Sequence, residues 1–449
     1  MKYVKEITFY NHYLFGNQTI KFYDHNGKTF NTIVIIGENG GGKTALINYL
    51  YDILIKDSYT STTAIPKESK VTIENTDSKL ESEPDSEGIK HIIDELIIHK
   101  NTQGMQKIDF VSDGYIQNIV HGTKDSNNIH KYSVGGILTP AEISYIPTED
   151  VRYVTSTTLD TAERYSEKDI AHSIEQLLVD IVNQDNQKIA KYAEDHRGEK
   201  IPESIFESLL INRFKNAYDI IFQQKLVFNN VKNNTKLTFK KNGREINIHD
   251  LSSGEKQIIY RSTYLLKNAG ILKGSPVFID EPEISMHPKW EKKIYSFYKK
   301  LYTYNEIQES QFFFATHSDY VIEEALKDDD AMIVSINNGK VKIIKKNEFM
   351  LPIVSSAEIK YHIFGIPTTD YHNQLYSQVE EKFKKKQVKS LDVLLLSKGA
   401  PKKKSRNNRT EYNTLPIYIR NAINHPNNGN KYTDKELQDS IKYLISVLK

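Results

Sequence analysis

The stretch Thr32-Ile33-Val34-Ile35-Ile36-Gly37-Glu38-Asn39-Gly40-Gly41-Gly42-Lys43-Thr44-Ala45-Leu46-Ile47 decides the fold. Its first five residues are β-branched without interruption, as in a strand buried on both faces. Ala45 to Leu50 reads as a helix. Between them, Gly37 to Thr44 matches G-x-x-x-x-G-K-[ST]. Glycines let backbone N–H groups curl around phosphate oxygens, and the helix that follows points its positive end at the same anion. Lys43 is suited to reach β- and γ-phosphates, and Thr44 to ligate Mg²⁺. The candidate ATP-binding set is therefore Gly37, Asn39, Gly40, Gly41, Gly42, Lys43, Thr44 and Ala45, on an α/β fold.

Three further segments gain meaning from this loop. Pro276-Val277-Phe278-Ile279-Asp280-Glu281 is a short apolar strand ending in two carboxylates. Asp280 is placed to hold Mg²⁺, directly or through water, and Glu281 to polarise an attacking water. Leu251-Ser252-Ser253-Gly254-Glu255-Lys256-Gln257 reads by itself as a helix start, with Gly254 lying 26 residues before Asp280. Phe312-Phe313-Phe314-Ala315-Thr316-His317-Ser318 is a buried strand that delivers one histidine, 37 residues after Asp280.

Together these segments resemble the head domain of ABC and SMC-like ATPases, with Walker A, an LSGGQ-like signature, Walker B and a switch histidine in that order. The resemblance covers residues 1 to about 345. It implies a two-lobed P-loop NTPase head with Glu281 and His317 as the catalytic pair. It also implies that Ser252, Ser253, Gly254 and Glu255 contact the nucleotide, the signature meeting the γ-phosphate bound by a second subunit. Two features depart from the pattern. Ser253 stands where a second glycine is commoner. The segment Ser144-Tyr145-Ile146-Pro147-Thr148-Glu149 occupies the place of the glutamine loop without a glutamine.

Composition sets the frame. The chain has 449 residues, 38% hydrophobic and 10% aromatic, enough for a sizeable core and too apolar for wholesale disorder. It has no cysteine, which excludes disulfides, thiolate metal sites and a cysteine nucleophile. No run of about 18 apolar residues suggests a membrane helix, and the N-terminus lacks a signal-peptide core. The expected address is the cytoplasm. Net charge is +2, but residues 351–449 carry +8 and the first 350 carry −6, which invites an anionic partner such as nucleic acid.

The expected organisation is a head over residues 1–345 and a basic, α-rich C-terminal domain over 346–449. Within the head, 58–88 reads as a polar, solvated insertion. Residues 168–222 read as a helical insertion: Ile170, Ile174, Leu177, Leu178, Ile181 and Val182 keep a 3.6-residue period, and a second helix carries Ile205, Leu209 and Leu210. No heptad pattern supports a long coiled-coil arm. Ala331 to Ile344 reads as a hairpin turning at Asn338-Gly339. Basic tracts run from Lys382 to Lys389 and from Lys402 to Arg409. Thr433 and Glu436 have capping-box spacing before a final helix.

Asp280-Glu281-Pro282-Glu283-Ile284-Ser285-Met286-His287-Pro288 resembles the corresponding string in bacterial defence ATPases. The tail around Ser355-Ser356-Ala357-Glu358, Phe364-Gly365-Ile366-Pro367 and Tyr418-Ile419-Arg420-Asn421 resembles the PtuA family of the Septu antiphage system, including retron-attached forms. That resemblance implies an oligomer, from an ATP-linked dimer up to a larger ring or horseshoe, controlling a PtuB-like HNH nuclease subunit through nucleotide state. A rival reading takes Arg420 and His425 as the R-x4-H pair of a HEPN-like ribonuclease. A third takes the chain as a DNA-binding ATPase of repair or segregation.

Overall fold

The computed structural model describes residues 2–54, 68–75, 92–100, 106–112, 115–120, 145–146, 167–232, 236–267, 276–283, 286–304, 307–308, 310–407 and 410–449. The chain divides into two compact units, residues 1–343 and 344–449.

The first unit is built on a six-stranded sheet. Its strands run in the order Lys340–Ile344, Ala331–Asn337, Thr32–Ile36, Gln311–Thr316, Pro276–Asp280 and Tyr145–Ile146. Thr32–Ile36 lies parallel to both neighbours, as does Pro276–Asp280. Every residue of Thr32–Ile36, Pro276–Asp280 and Gln311–Thr316 is buried. Uninterrupted apolar strands are what a parallel sheet covered on both faces requires. Residues 331–344 form the expected hairpin, with Asn338 and Gly339 both at positive φ (47° and 74°), the geometry of a type I′ turn.

A second six-stranded sheet is antiparallel. Its order is Gly16–Lys21, Lys2–His12, Glu68–Asn75, Ile92–Lys100, Gln106–Ser112 and Tyr115–Val120. A core of Val4, Ile7, Phe9, Phe22, Ile33, Leu46, Leu50 and Phe313 binds its Lys2–His12 strand to the Lys43–Leu54 helix and the parallel sheet. Phe22 meets Phe313 edge-on with centroids 5.3 Å apart, and Val4 N donates to Gln311 Oε1 at 2.7 Å. The polar segment 58–88 differs from expectation. Glu68–Asn75 is a strand paired to Lys2–His12. Its alternating Lys70, Thr72 and Glu74 made a strand read as solvated chain. The rest of 58–88 lies outside the described residues.

The helical segment is present as Glu167–Asp195, Glu203–Glu207 and Leu210–Phe222. The expected second helix is two helices. Leu209 is extended (φ −67°, ψ 139°), and the buried Asp185 carboxylate accepts from Leu210 N and Ile211 N at 2.8 and 2.9 Å. That carboxylate satisfies the free donors of a new helix start. Leu226–Lys232, Lys236–Lys241 and Arg244–Ile246 make a small antiparallel sheet.

The second unit is α-rich. Helices Ser356–Phe364, Thr369–Phe383, Val388–Ser397, Leu415–Asn424 and Asp434–Leu448 enclose Tyr371, Leu375, Leu391, Leu395, Ile417 and Ile441. The second basic tract is a strand, Lys402–Asn407, paired with Thr410–Thr414; Arg409 lies outside the described residues. Thr433 and Glu436 form the capping box, with bonds of 3.0 and 3.2 Å. Among the described residues no helix is long and apolar enough to cross a membrane.

Candidate active site

The buried strand Thr32–Ile36 delivers the glycine loop. Gly37 has φ +152°, and a Cβ there would lie 2.0 Å from the Ile336 carbonyl oxygen. Only glycine lets the loop leave the sheet this close to the neighbouring strand. Lys43 opens the helix and is buried. Its Nζ donates to the Gly37 and Glu38 carbonyls, each at 3.0 Å, so the loop is wound around the ammonium. Burial pushes the Lys43 pKa below its ordinary value, and Asp280, Glu281 and Glu283 pull it back up. Asn39 and Gly40 are exposed at the loop's outer turn, and Ala45 is half-buried behind it.

Thr44 Oγ1 donates to Asp280 Oδ2 at 2.7 Å, joining residues 236 apart in sequence. A hydroxyl and a carboxylate are hard oxygen donors, a set suited to Mg²⁺ completed by phosphate oxygens and water. Among the described residues, no group of three or more His, Cys, Asp or Glu could hold a metal ion unaided.

Glu281 follows with φ +43°, a left-handed backbone rare outside glycine. Two bonds hold it there: Glu281 N donates to Ala315 O at 2.7 Å, and Arg261 Nη1 donates to Glu281 O at 3.3 Å. Arg261 is fully buried on the Ser253–Lys267 helix, so the signature helix touches the backbone of the general-base candidate. His317 Nε2 stands 3.5 Å from Glu281 Oε1, and both side chains are about 30% exposed. Burial lowers the His317 pKa, with Lys43 adding to the effect and Asp280 opposing it. The loop, Asp280, Glu281 and His317 thus lie together at the C-terminal ends of three adjacent strands.

The signature stands on its own helix start. Ser252 is exposed and Gly254 buried. Ser252 N donates to Glu255 Oε2 at 2.8 Å, and Glu255 N donates to Ser252 Oγ at 3.3 Å. This is a capping box. Glu255 is buried and also pairs with Lys241 at 2.9 Å. Its carboxylate is therefore spent on the helix start, whereas the sequence suggested a nucleotide contact. Ser253 is the first residue of the helix. Tyr145–Ile146 pairs with Phe278 and Ile279; Thr148 and Glu149 lie outside the described residues.

Sequence reasoning gave no role to Arg261 or Glu283. Glu283 Oε1 accepts from Thr316 Oγ1, His317 N and Ser318 N at 2.6, 2.9 and 3.1 Å. The only sequence signal for it is a carboxylate three residues after Asp280. In the second unit, the Arg420 guanidinium lies 5.8 Å from the Tyr376 ring centroid and donates to Asn421 Oδ1 at 3.3 Å. His425 is the exposed C-cap of its helix.

Residues 146–323 match the family model described as "AAA domain, putative AbiEii toxin, Type IV TA system". The matched span contains the signature, Asp280, Glu281 and His317, and the glycine loop lies before it. Over 128 residues the chain is 30% identical to the "Retron Vc95 probable ATPase" of Vibrio cholerae serotype O1 biovar El Tor, covering 26% of this chain and 22% of that protein. The match thus spans about a fifth of the relative's length. Among solved structures it is similar to the SMC head domain from Thermotoga maritima (14% identity, TM-score 0.41, 76% of this chain and 98% of that one). It is also similar to an Smc head with an extended coiled coil, bound to the C-terminal domain of ScpA derived from Pyrococcus furiosus (16% identity, TM-score 0.40, 77% and 96%).

Proposed function

We propose that this chain is the ATP-switched regulatory subunit of an antiphage defence complex, with a head over 1–345 and a partner-facing, basic domain over 346–449. The observation that carries the switch is the meeting of Thr44–Asp280 and Glu281–His317 beside the glycine loop. Gly37 to Ala45 bind the triphosphate. Thr44 and Asp280 would hold Mg²⁺, which when bound neutralises phosphate charge. Glu281 orients and deprotonates water, and His317 stabilises the charge that develops on the γ-phosphate. Ser252, exposed at the start of the signature helix, and with it Ser253 and Gly254, meet a nucleotide held by a second copy. Two chains then close two ATP sites, and nucleotide state becomes assembly state.

The defence reading draws support from the retron-associated relative and from the Asp280–Pro288 string. The effector in this reading is a separate HNH-type nuclease in the same cytoplasm, with nucleic acid reached through the basic tracts. Affinity purification from the native locus tests it: a stoichiometric HNH-type protein is expected to co-purify. A chain that comes down alone and cleaves RNA, with cleavage lost in His425→Ala, overturns the regulator reading in favour of a ribonuclease. DNA-stimulated hydrolysis with steep salt dependence would instead point to a repair or segregation ATPase. Phage protection unchanged by Lys43→Ala would sink the ATP switch.

A further inference from the structure

We propose that Glu283 is a positioning residue that sets the switch histidine against Glu281. The inference rests on reading Glu281 and His317 as the hydrolytic pair. Glu283 lies two residues beyond Glu281, just past the end of the same strand. Its partners belong to the neighbouring strand end: Thr316 closes Gln311–Thr316, and His317 and Ser318 form the turn into the Asp319–Lys327 helix. One oxygen, Oε1, takes the Thr316 hydroxyl and the backbone N–H groups of His317 and Ser318. Ser318 Oγ in turn caps the next helix through Val321 N and donates to Glu291 Oε1. The backbone that carries His317 is thus pinned on both sides.

Chemistry explains why a carboxylate stands here. Thr316 and Ser318 are buried, and a buried N–H without a partner costs the full desolvation of that group. A charged acceptor makes stronger bonds than a neutral one. Glu283 Oε2 is buried and makes no hydrogen bond, so the three bonds on Oε1 are what the side chain supplies. Burial raises the Glu283 pKa, and the Thr316 and His317 bonds oppose the rise. With the turn fixed, His317 moves only about its own side-chain bonds, and its Nε2 stays 3.5 Å from Glu281 Oε1. Misplacement of such a group by about 1 Å is worth on the order of 100-fold in rate.

The test is steady-state ATP hydrolysis with nucleotide affinity measured separately, beside the parent and Lys43→Ala. Glu283→Ala is expected to lower kcat about 100-fold with the ATP Kd unchanged. Glu283→Gln keeps an oxygen for the three donors and is expected to stay within about threefold of the parent, since neutral bonds are weaker. In a His317→Ala background, Glu283→Ala is expected to add little, because the two act as a unit. Thr316→Val, which keeps Glu283, is expected to slow turnover and Thr316→Ser to restore it, which decides the matter should Glu283→Ala fail to fold. Glu283→Gln as slow as Glu283→Ala would overturn the proposal, because charge rather than position would then matter. So would additive losses with His317→Ala, or full turnover in Thr316→Val. A parent no faster than Lys43→Ala defeats the hydrolytic reading itself, and this proposal with it.

Discussion

In the head, half-buried Glu283 gathers the Thr316 hydroxyl and the backbone N–H groups of His317 and Ser318. In the C-terminal unit, buried Asp392 gathers Asn413 N, Thr414 N and the Thr414 hydroxyl at 2.9, 3.0 and 2.6 Å. The device is the same: a carboxylate holds, through main-chain donors, the segment that leads into a helix. What the segment presents is different. The head's turn offers His317, about 30% exposed and facing Glu281. The Asp392-held strand end offers Thr414, fully buried, and leads into a helix whose Leu415, Ile417 and Ile419 join the core. Such a clamp marks a functional site only where the clamped segment carries an exposed titratable group toward another.

The largest expected effect sharpens this contrast. Glu281→Gln should lower ATP turnover about 1000-fold, within the range of a lost general base, while ATP still binds. Arg420→Ala and His425→Ala should leave ATP turnover unchanged, since neither side chain is placed in the head. Parallel hydrolysis and nucleotide-binding assays check both. Normal turnover by Glu281→Gln would mean that the head's exposed pair is no more chemical than the tail's.

The next effect belongs to the C-terminal unit. His372 is fully buried, with Nε2 3.0 Å from Ser440 Oγ, and burial pushes its pKa down to about 4. In the unfolded chain the imidazole returns to its ordinary 6.5. As pH falls from about 6.5 to 4, the unfolded chain takes up a proton that the fold refuses. The stability this group confers is therefore complete above pH 6.5 and shrinks on acidification, by about 3 kcal/mol over the window. Urea titrations at pH 7 and 4.5 should show a shallower loss in His372→Gln than in the parent. They should be followed by circular dichroism, because the single tryptophan, Trp290, lies in the other unit. Equal pH slopes would refute the assignment.

How far the sequence could be read follows from how local each feature is. The glycine loop, the Pro276–Asp280 strand and the strand bearing His317 are contiguous strings legible by residue type, and their strands are neighbours in one sheet. Glu283 was invisible as a clamp because its donors lie 33 to 35 residues away. Glu255 looked available because nothing in the string LSSGEKQ reveals Lys241, which neutralises it from a separate strand. Glu68–Asn75 looked solvated because its apolar positions, Val71 and Ile73, are too few to announce a strand without its partners on either side.

Long-range contact also sets the third effect. Gly339 N donates to Gly41 O at 3.1 Å, and Gln18 Nε2 donates to Gly339 O at 2.5 Å. The hairpin turn is therefore seated on the glycine loop. A Cβ on Gly339 would fall 1.8 Å from the Leu14 carbonyl oxygen, at φ +74°. Gly339→Ala should destabilise the head by about 2 kcal/mol through overpacking and backbone strain and weaken ATP binding with it. Gly399→Ala is the control from the other unit: φ is +81°, but nothing lies within 4 Å, so only the backbone term applies. Equal losses in the two variants would show that the seat on the loop contributes nothing.

The smallest effect compares one capping box with another. Ser252–Glu255 opens the signature helix and Thr433–Glu436 opens the last helix, each with a lysine on the glutamate: Lys241 on Glu255 and Lys403 on Glu436. Glu255 is buried, whereas Glu436 is about 32% exposed, and the Lys403 bond heads the causes that hold its pKa below the ordinary value. Thr433→Ala removes a hydroxyl that accepts from Glu436 N and should cost about 1 kcal/mol, with ATP turnover untouched. Ser252→Ala removes the matching bond to Glu255 N and should cost a similar amount, but it also strips an exposed hydroxyl from the surface offered to a second nucleotide. Chemical denaturation reads the shared loss. ATP-dependent self-association, followed by light scattering, reads the difference: it should weaken in Ser252→Ala alone. Equal weakening in both variants would place the signature helix among ordinary capped helices and remove it from the assembly mechanism.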